Sequence, residues 1–210
     1  MTKVKICGLK SLADVELVNK YLPEYAGFVF ANTKRFVTDG QAFCMKQALD
    51  KRIQAVGVFV NEPQEHIISL CQRDMIDAVQ LHGDETNDYI EELREQIRKP
   101  VIRAVRVQNL EQVKKELQQK ADFMLFDTYR KGVYGGSGER FSLFVLKESL
   151  KYEKNVKPFF VAGGLTPENI KEVLDDVACY CVDVSSGVET DGSKDEKKVR
   201  EFIERVRGIQ

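Results

Sequence analysis

Reactive side chains stand where the apolar runs of this chain stop. KVKICGLK, residues 3–10, passes from a short apolar run into Cys7 and then a glycine. FMLFD ends on Asp127, QLHGDE carries His82, and ANTKRF carries Arg35. VAGGLT holds Gly163 and Gly164, and VDVSSGVE holds Asp183, Ser185, Ser186 and Gly187. Each type has a chemistry. A thiol near a cation can work as a thiolate base, or it can be a small packed hydrophobe. An aspartate leaving an apolar strand either caps and pairs locally or, partly desolvated, keeps a proton and donates it. A guanidinium fork matches a carboxylate. Paired glycines let backbone N–H groups approach an oxyanion, or only permit a tight turn. His82 could bridge loops, pair with Asp84 or touch a ligand.

These groups meet only if the elements carrying them share one end. Eight short runs rich in Val, Ile, Phe and Ala read as strands: 3–8, 25–31, 53–60, 77–83, 101–107, 122–128, 158–164 and 180–186. Their near-continuous apolarity suits strands covered on both faces, as in a parallel sheet. Segments of helical period lie between them. Residues 11–20 put Leu12, Val15, Leu17 and Val18 on one side, and residues 86–98 space Tyr89, Ile90, Leu93 and Ile97 helically. Thr166, Pro167 and Asn169 read as N-cap, first helical position and N3. A last helix is expected over 194–206.

Strand and helix alternate in units of about 25 residues, with no linker or composition shift. This implies the α/β class and a single (β/α)8 barrel spanning residues 1–210. The rival is an open doubly wound sheet. Its dinucleotide-binding form wants G-x-G-x-x-G after the first strand, and that motif is missing.

In such a barrel, reactive groups gather at the C-terminal strand ends. AGGLT and SSGVE follow the seventh and eighth strands, a usual place for a phosphate site. Side chains alternate along a strand, so a Cys7 that faces the barrel axis brings Lys3 and Lys5 with it. Val4 and Ile6 then face the helices. The same alternation is expected to turn Gln80, His82, Arg103, Asp127 and Asp183 inward. Lys5 is expected to find a carboxylate such as Asp183 and to lower the pKa of the Cys7 thiol. The stretch RKGVYGGSGERF, 130–141, is long and glycine-rich enough to close over a ligand.

Composition excludes several classes. With 32 Lys and Arg against 33 Asp and Glu, there is no global pull towards nucleic acid or an anionic membrane. No apolar run approaches the roughly 20 residues of a membrane helix, and no signal-peptide core precedes the first strand. Five cysteines, an odd count, read as reduced thiols of a cytoplasmic protein, with Cys44, Cys71, Cys179 and Cys181 packed and inert. Only His66 and His82 are available, and the C-Y-C spacing is not a metal motif, so no metal is expected. Oligomeric state stays open between monomer and homodimer.

Taken together, KICGL, GFVF, VGVFVN, QLHGDE, FDT, GGSG, VAGGLTPENI, and VDVSSGVE with DGSKD resemble the phosphoribosylanthranilate isomerases of tryptophan biosynthesis, in the same order from residue 5 to about 202. The resemblance implies a single TIM barrel that performs an Amadori rearrangement. Its substrate would be the phosphosugar N-(5-phosphoribosyl)anthranilate, its product 1-(2-carboxyphenylamino)-1-deoxyribulose 5-phosphate, and it would need no cofactor. It implies Cys7 as general base, Asp127 as general acid and Arg35 as holder of the anthranilate carboxylate. Asp183 would support or orient the substrate. His82 joins the substrate site, and Gly163, Gly164, Ser185, Ser186 and Gly187 form the phosphate cup.

Two places depart from the family. Thr33-Lys34 stands where a Ser-Pro pair precedes the arginine, and Phe141-Ser142-Leu143 replaces Phe-Asp-Trp. Three rivals fit less well. Indole-glycerol-phosphate synthase needs a lysine and a glutamate at strand ends, and a metal-dependent epimerase needs paired histidines. A binding protein without turnover has no need of both Cys7 and Asp127.

Overall fold

The first strand, β1 (Lys3–Cys7), pairs in parallel with β2 (Tyr25–Val29) on one side and β8 (Cys181–Val184) on the other. β3 (Gln54–Phe59), β4 (Ala78–Leu81), β5 (Val101–Arg106), β6 (Phe123–Asp127) and β7 (Phe159–Ala162) complete a closed ring in chain order. Helices follow the strands: α1 (Leu12–Tyr21), α2 (Asp39–Ala48), α3 (Gln64–Gln72), α4 (Asn87–Gln96), α5 (Leu110–Glu116), α6 (Ser137–Leu150), α7 (Ile170–Asp176) and α8 (Glu196–Arg207). The architecture is the (β/α)8 barrel expected from the alternation of apolar runs. This computed structural model describes residues 1–127, 137–151 and 156–208, with the side chains of 137–142 excepted. The glycine-rich stretch 130–141, read as a closing loop, lies with its side chains outside the described residues.

Alternation sorts the strand side chains into two cores. Val4 and Ile6 join Phe28, Phe59, Val79, Val105, Phe126 and Val161 in the layer beneath the helices. Tyr25, Val56, Ala78, Ile102, Leu125 and Phe160 fill the barrel interior. Its lower end is closed by aromatics. Tyr180 tilts against Phe123 and Phe160, with the Lys3 ammonium 4.6 Å from the Tyr180 ring centre. Bulky apolar residues thus plug the bottom and leave the polar residues at the top. Fully burying one such side chain is worth about 1.5–3 kcal/mol.

Helix starts follow their caps. Ser11 and Asp14 form a reciprocal capping box on α1, and Thr86 caps α4, near where the periodicity placed both helices. α7 begins later than its signal. Thr166 accepts from the backbone N–H of Asn169, and Asn169 returns a side-chain acceptor to Thr166, but residues 167–169 form a turn and the helix starts at Ile170. α8 likewise starts after Asp195, its N-cap. Lys194 is drawn out of the expected helix into a two-residue strand, β10 (Ser193–Lys194). That strand pairs antiparallel with β9 (Glu189–Thr190) behind a single 3-10 turn, Ser186–Val188. Among the described residues, no helix is long and apolar enough to cross a membrane.

Candidate active site

All ten residues singled out as a site line one cavity of about 470 Å³ at the C-terminal end of the barrel. Cys7 enters from β1, Asp127 from β6, Asp183 from β8, and His82 from just past β4. Arg35 comes from the loop between β2 and α2. Thr33 closes that loop: its hydroxyl accepts from the Arg35 N–H and its carbonyl from the Phe36 N–H, at 3.1 and 3.0 Å. A threonine hydroxyl therefore holds the turn in a loop without proline. Gly163 and Gly164 take φ of 94° and 64° after β7. Ser185, Ser186 and Gly187 face them from β8. A Cβ on Gly187 would lie 1.8 Å from the Leu165 carbonyl oxygen, so the two loops touch backbone to backbone. Around the rim, β7 and β8 stand between the strand of Asp127 and the strand of Cys7. The thiol and the carboxyl group flank the glycine-lined cup.

Beneath the thiol lies a buried polar layer. The Lys5 ammonium, wholly buried, donates to Asp183 Oδ2 at 2.8 Å and to Gln80 Oε1 at 2.6 Å. Burial alone would pull this ammonium down, but Asp183 together with the Cys7 and Cys181 thiols outweighs it and the net direction is up. Because Gln80 Oε1 accepts from Lys5, its amide N–H2 faces His82 Nδ1, 3.1 Å away. A neutral His82 ring then carries its proton on Nε2, which stands 3.6 Å from Asp127 Oδ2. A polar chain thus runs from Lys5, two residues before Cys7, to His82 beside Asp127. His82 joins Asp127 rather than Asp84. The acid that orders its loop is Glu85, which accepts from the N–H groups of Asn61 and Gly83 and from Arg103.

Two expectations are corrected here. Arg103 does not face inward. It lies under the helices paired with Glu85 at 2.6 Å, and Arg106, of the opposite parity, takes the interior side of β5 and lines the cavity. Lys5 also does not bring the thiol pKa below its ordinary value, because burial outweighs its pull. Burial pushes the Cys7 thiol up; Lys5 and Lys194 oppose this and Asp183 adds to it. Lys5 also serves Asp183 and Gln80. Elsewhere, Cys44 proves exposed rather than packed, while burial drives the Cys71 thiol up to about 11.

Residues that the sequence did not single out stand behind the cavity wall and support its lining. Gly27 is the register partner of Cys7, and a Cβ there would lie 2.7 Å from the Cys7 sulfur. Only a glycine leaves the thiol its place. Its signal was the GFVF run and nothing more. Glu189 grips Arg35 through two 2.8 Å hydrogen bonds, and Lys194 supports Glu189 at 2.9 Å. The pairing with Arg35 is not visible from spacing, because Arg35 and Glu189 are 154 residues apart.

A family model described as N-(5'phosphoribosyl)anthranilate (PRA) isomerase matches residues 4–205. The chain belongs to this family. An N-(5'-phosphoribosyl)anthranilate isomerase from Lachnoclostridium phytofermentans is 48% identical over 208 residues, covering 96% of this chain and 95% of that protein. The crystal structure of phosphoribosyl anthranilate isomerase from Thermotoga maritima matches with a TM-score of 0.88 at 35% identity, over 99% of this chain and 100% of that one. A further isomerase structure, in complex with reduced 1-(o-carboxyphenylamino)-1-deoxyribulose 5-phosphate, matches at 0.83 and 31% identity, over 99% and 100% of the two chains. The family resemblance read from the motifs therefore extends over the whole barrel.

Proposed function

We infer that this chain is a phosphoribosylanthranilate isomerase, converting N-(5'-phosphoribosyl)anthranilate to 1-(2-carboxyphenylamino)-1-deoxyribulose 5-phosphate in tryptophan biosynthesis. The observation that carries the site reading is the convergence of Cys7, Asp127 and Arg35 on one cavity with the two glycine-bearing loops.

The loops of Gly163–Gly164 and Ser185–Gly187 take the phosphate through backbone N–H groups. Arg35 takes the anthranilate carboxylate. These two clamps place the ribose between the thiol and the carboxyl group. Asp127 protonates the furanose ring oxygen. The anilino nitrogen pushes its lone pair towards C1, the bond from C1 to the ring oxygen breaks, and an iminium forms. The iminium acidifies the proton on C2. The Cys7 thiolate removes it, the electron pair moves into the C1–C2 bond, and the C–N π pair returns to nitrogen. The resulting enolamine tautomerises to the ketone as C1 gains a proton. Asp183 Oδ1 is buried at the cavity with no hydrogen-bond partner among the described residues, which leaves it to accept from a ribose hydroxyl.

A thiol held up by burial gives a scarce but strong base. The iminium then adds positive charge to that of Lys5 and Lys194, which burial of the thiol outweighs. Acid–base transfer contributes about 10²–10⁴-fold, so the two clamps supply much of the remaining acceleration through orientation. We place the enzyme in a reducing cytoplasm, on its five unbridged cysteines.

The test is rescue of a bacterial tryptophan auxotroph that lacks only this isomerase. Growth without tryptophan is expected. No growth despite soluble, expressed protein would overturn the assignment.

A further inference from the structure

Glu189 holds Arg35 side-on: Nε donates to Oε1 and Nη2 to Oε2, both at 2.8 Å. Glu189 is itself held. Its Oε1 accepts from the Lys194 ammonium at 2.9 Å. Lys194 donates its other two protons to the backbone carbonyls of Cys7, at 2.6 Å, and of Ser185, at 3.1 Å. All three donors of this ammonium are therefore used, and its side chain is 1% exposed against 6% for Glu189. Arg35 and Lys194 hold the Glu189 carboxyl at about 2 even though burial works the other way.

One buried ion pair thus joins the backbone of the thiol, the backbone of the serine loop and the arginine. A guanidinium carries five N–H donors in a fixed fork. Glu189 uses one on Nε and one on Nη2. One proton on Nη1 and the second on Nη2 form the end-on edge, and Arg35 makes no other side-chain hydrogen bond among the described residues. The arginine stem lies flat on the Gly8 backbone, where a Cβ would stand 2.3 Å from Arg35 Cδ.

We propose that Glu189 and Lys194 are positioning residues. They turn the end-on edge of Arg35 towards the aromatic carboxylate of the substrate, at a fixed distance from Cys7 and from the phosphate cup. This rests on the reading that Arg35 binds that carboxylate. The clamp lets the arginine bind without first losing its rotamer freedom, and that pre-organisation is where the affinity gain comes from.

The experiment compares two inhibitors: reduced 1-(o-carboxyphenylamino)-1-deoxyribulose 5-phosphate, and the same compound without its carboxyl group. The quantity read is the ratio of their inhibition constants. In Arg35→Ala the preference for the carboxylated compound falls to near unity. In Glu189→Gln it falls about tenfold, while affinity for the carboxyl-free compound moves less than about threefold, because the phosphate cup is untouched. Lys194→Met lowers the same ratio, and it serves as the test if Glu189→Gln does not fold. A general loss of structure would weaken both inhibitors alike and would overturn the proposal. So would an unchanged or increased ratio in Glu189→Gln, because Glu189 would then be idle or competing with the ligand for Arg35. An intact ratio in Arg35→Ala would instead sink the reading of Arg35, and the proposal with it.

Discussion

The Lys5 ammonium stands 2.8 Å from Asp183 Oδ2, two residues before Cys7 on the interior side of β1. β1 and β8 are adjacent, and Lys5 and Asp183 are register partners, so the pair is fixed by the strands rather than by loops. It sets the floor of the cavity on which the thiol sits.

Breaking that pair is expected to cost stability. Lys5→Met leaves Asp183 buried and unpaired, a situation worth about 3–5 kcal/mol. The double variant Lys5→Met/Asp183→Asn removes both charges and should recover part of that loss. Denaturant unfolding reads both values. A Lys5→Met protein within about 1 kcal/mol of the parent would show that the pair is dispensable.

Gly27 should control the position of the sulfur. Gly27→Ala forces a Cβ to within 2.7 Å of Cys7 Sγ, and one of the two must move. A misplacement near 1 Å can cost about 10²-fold. Turnover should therefore fall at least about tenfold with KM nearly constant. Unchanged kcat would mean that the thiol has slack or does not act.

The titration of Cys7 is open to direct reading. Burial raises this thiol, so its alkylation by iodoacetamide, followed on the Cys7 peptide by mass spectrometry, should climb with pH and reach half its limiting rate above about 8.5, the value of a free cysteine. A midpoint below about 7.5 would mean a site that holds thiolate, and the account of a scarce, strong base would fail.

His66 offers a pH-dependent clamp away from the cavity. Its ring contacts Glu62 at 2.7 Å through Nδ1 and Asp39 at 2.9 Å through Nε2, bridging α3 to the first turn of α2. Burial pulls its pKa down, but the two carboxylates outweigh that and raise it above the usual 6.5. A raised folded pKa stabilises fully below the unfolded value, and the gain is lost as pH rises through the folded one. Urea unfolding of His66→Gln should thus show a larger deficit near about pH 5.5 than near about pH 8.5. A deficit that is equal at both would contradict it.

Much of this was legible in the sequence for a physical reason. A strand has period two, so one cysteine facing the cavity fixed the side of Lys3, Lys5, Val4 and Ile6 without further information. Apolar runs on both sheet faces announced a parallel sheet, and two glycine-bearing loops after the last strands marked one end of it. Where the sequence was silent, the deciding fact was spatial. VIRAVRV carries arginines at 103 and 106, which have opposite parity, so at most one can face inward; burial with Glu85 took Arg103 to the other side. The thiol pKa depends on a burial that no residue type announces. Lys194 left its expected helix because three acceptors, from β1, the end of β8 and β9, converge on its ammonium.

The central claim is that Cys7 and Asp127 transfer the protons. Turnover of Cys7→Ser and Asp127→Asn, in protein that unfolds at the parent temperature, tests it most directly. Each variant should lose at least about 10²-fold in kcat with little change in KM. A rate within about tenfold of the parent in either variant would contradict the role given to that residue.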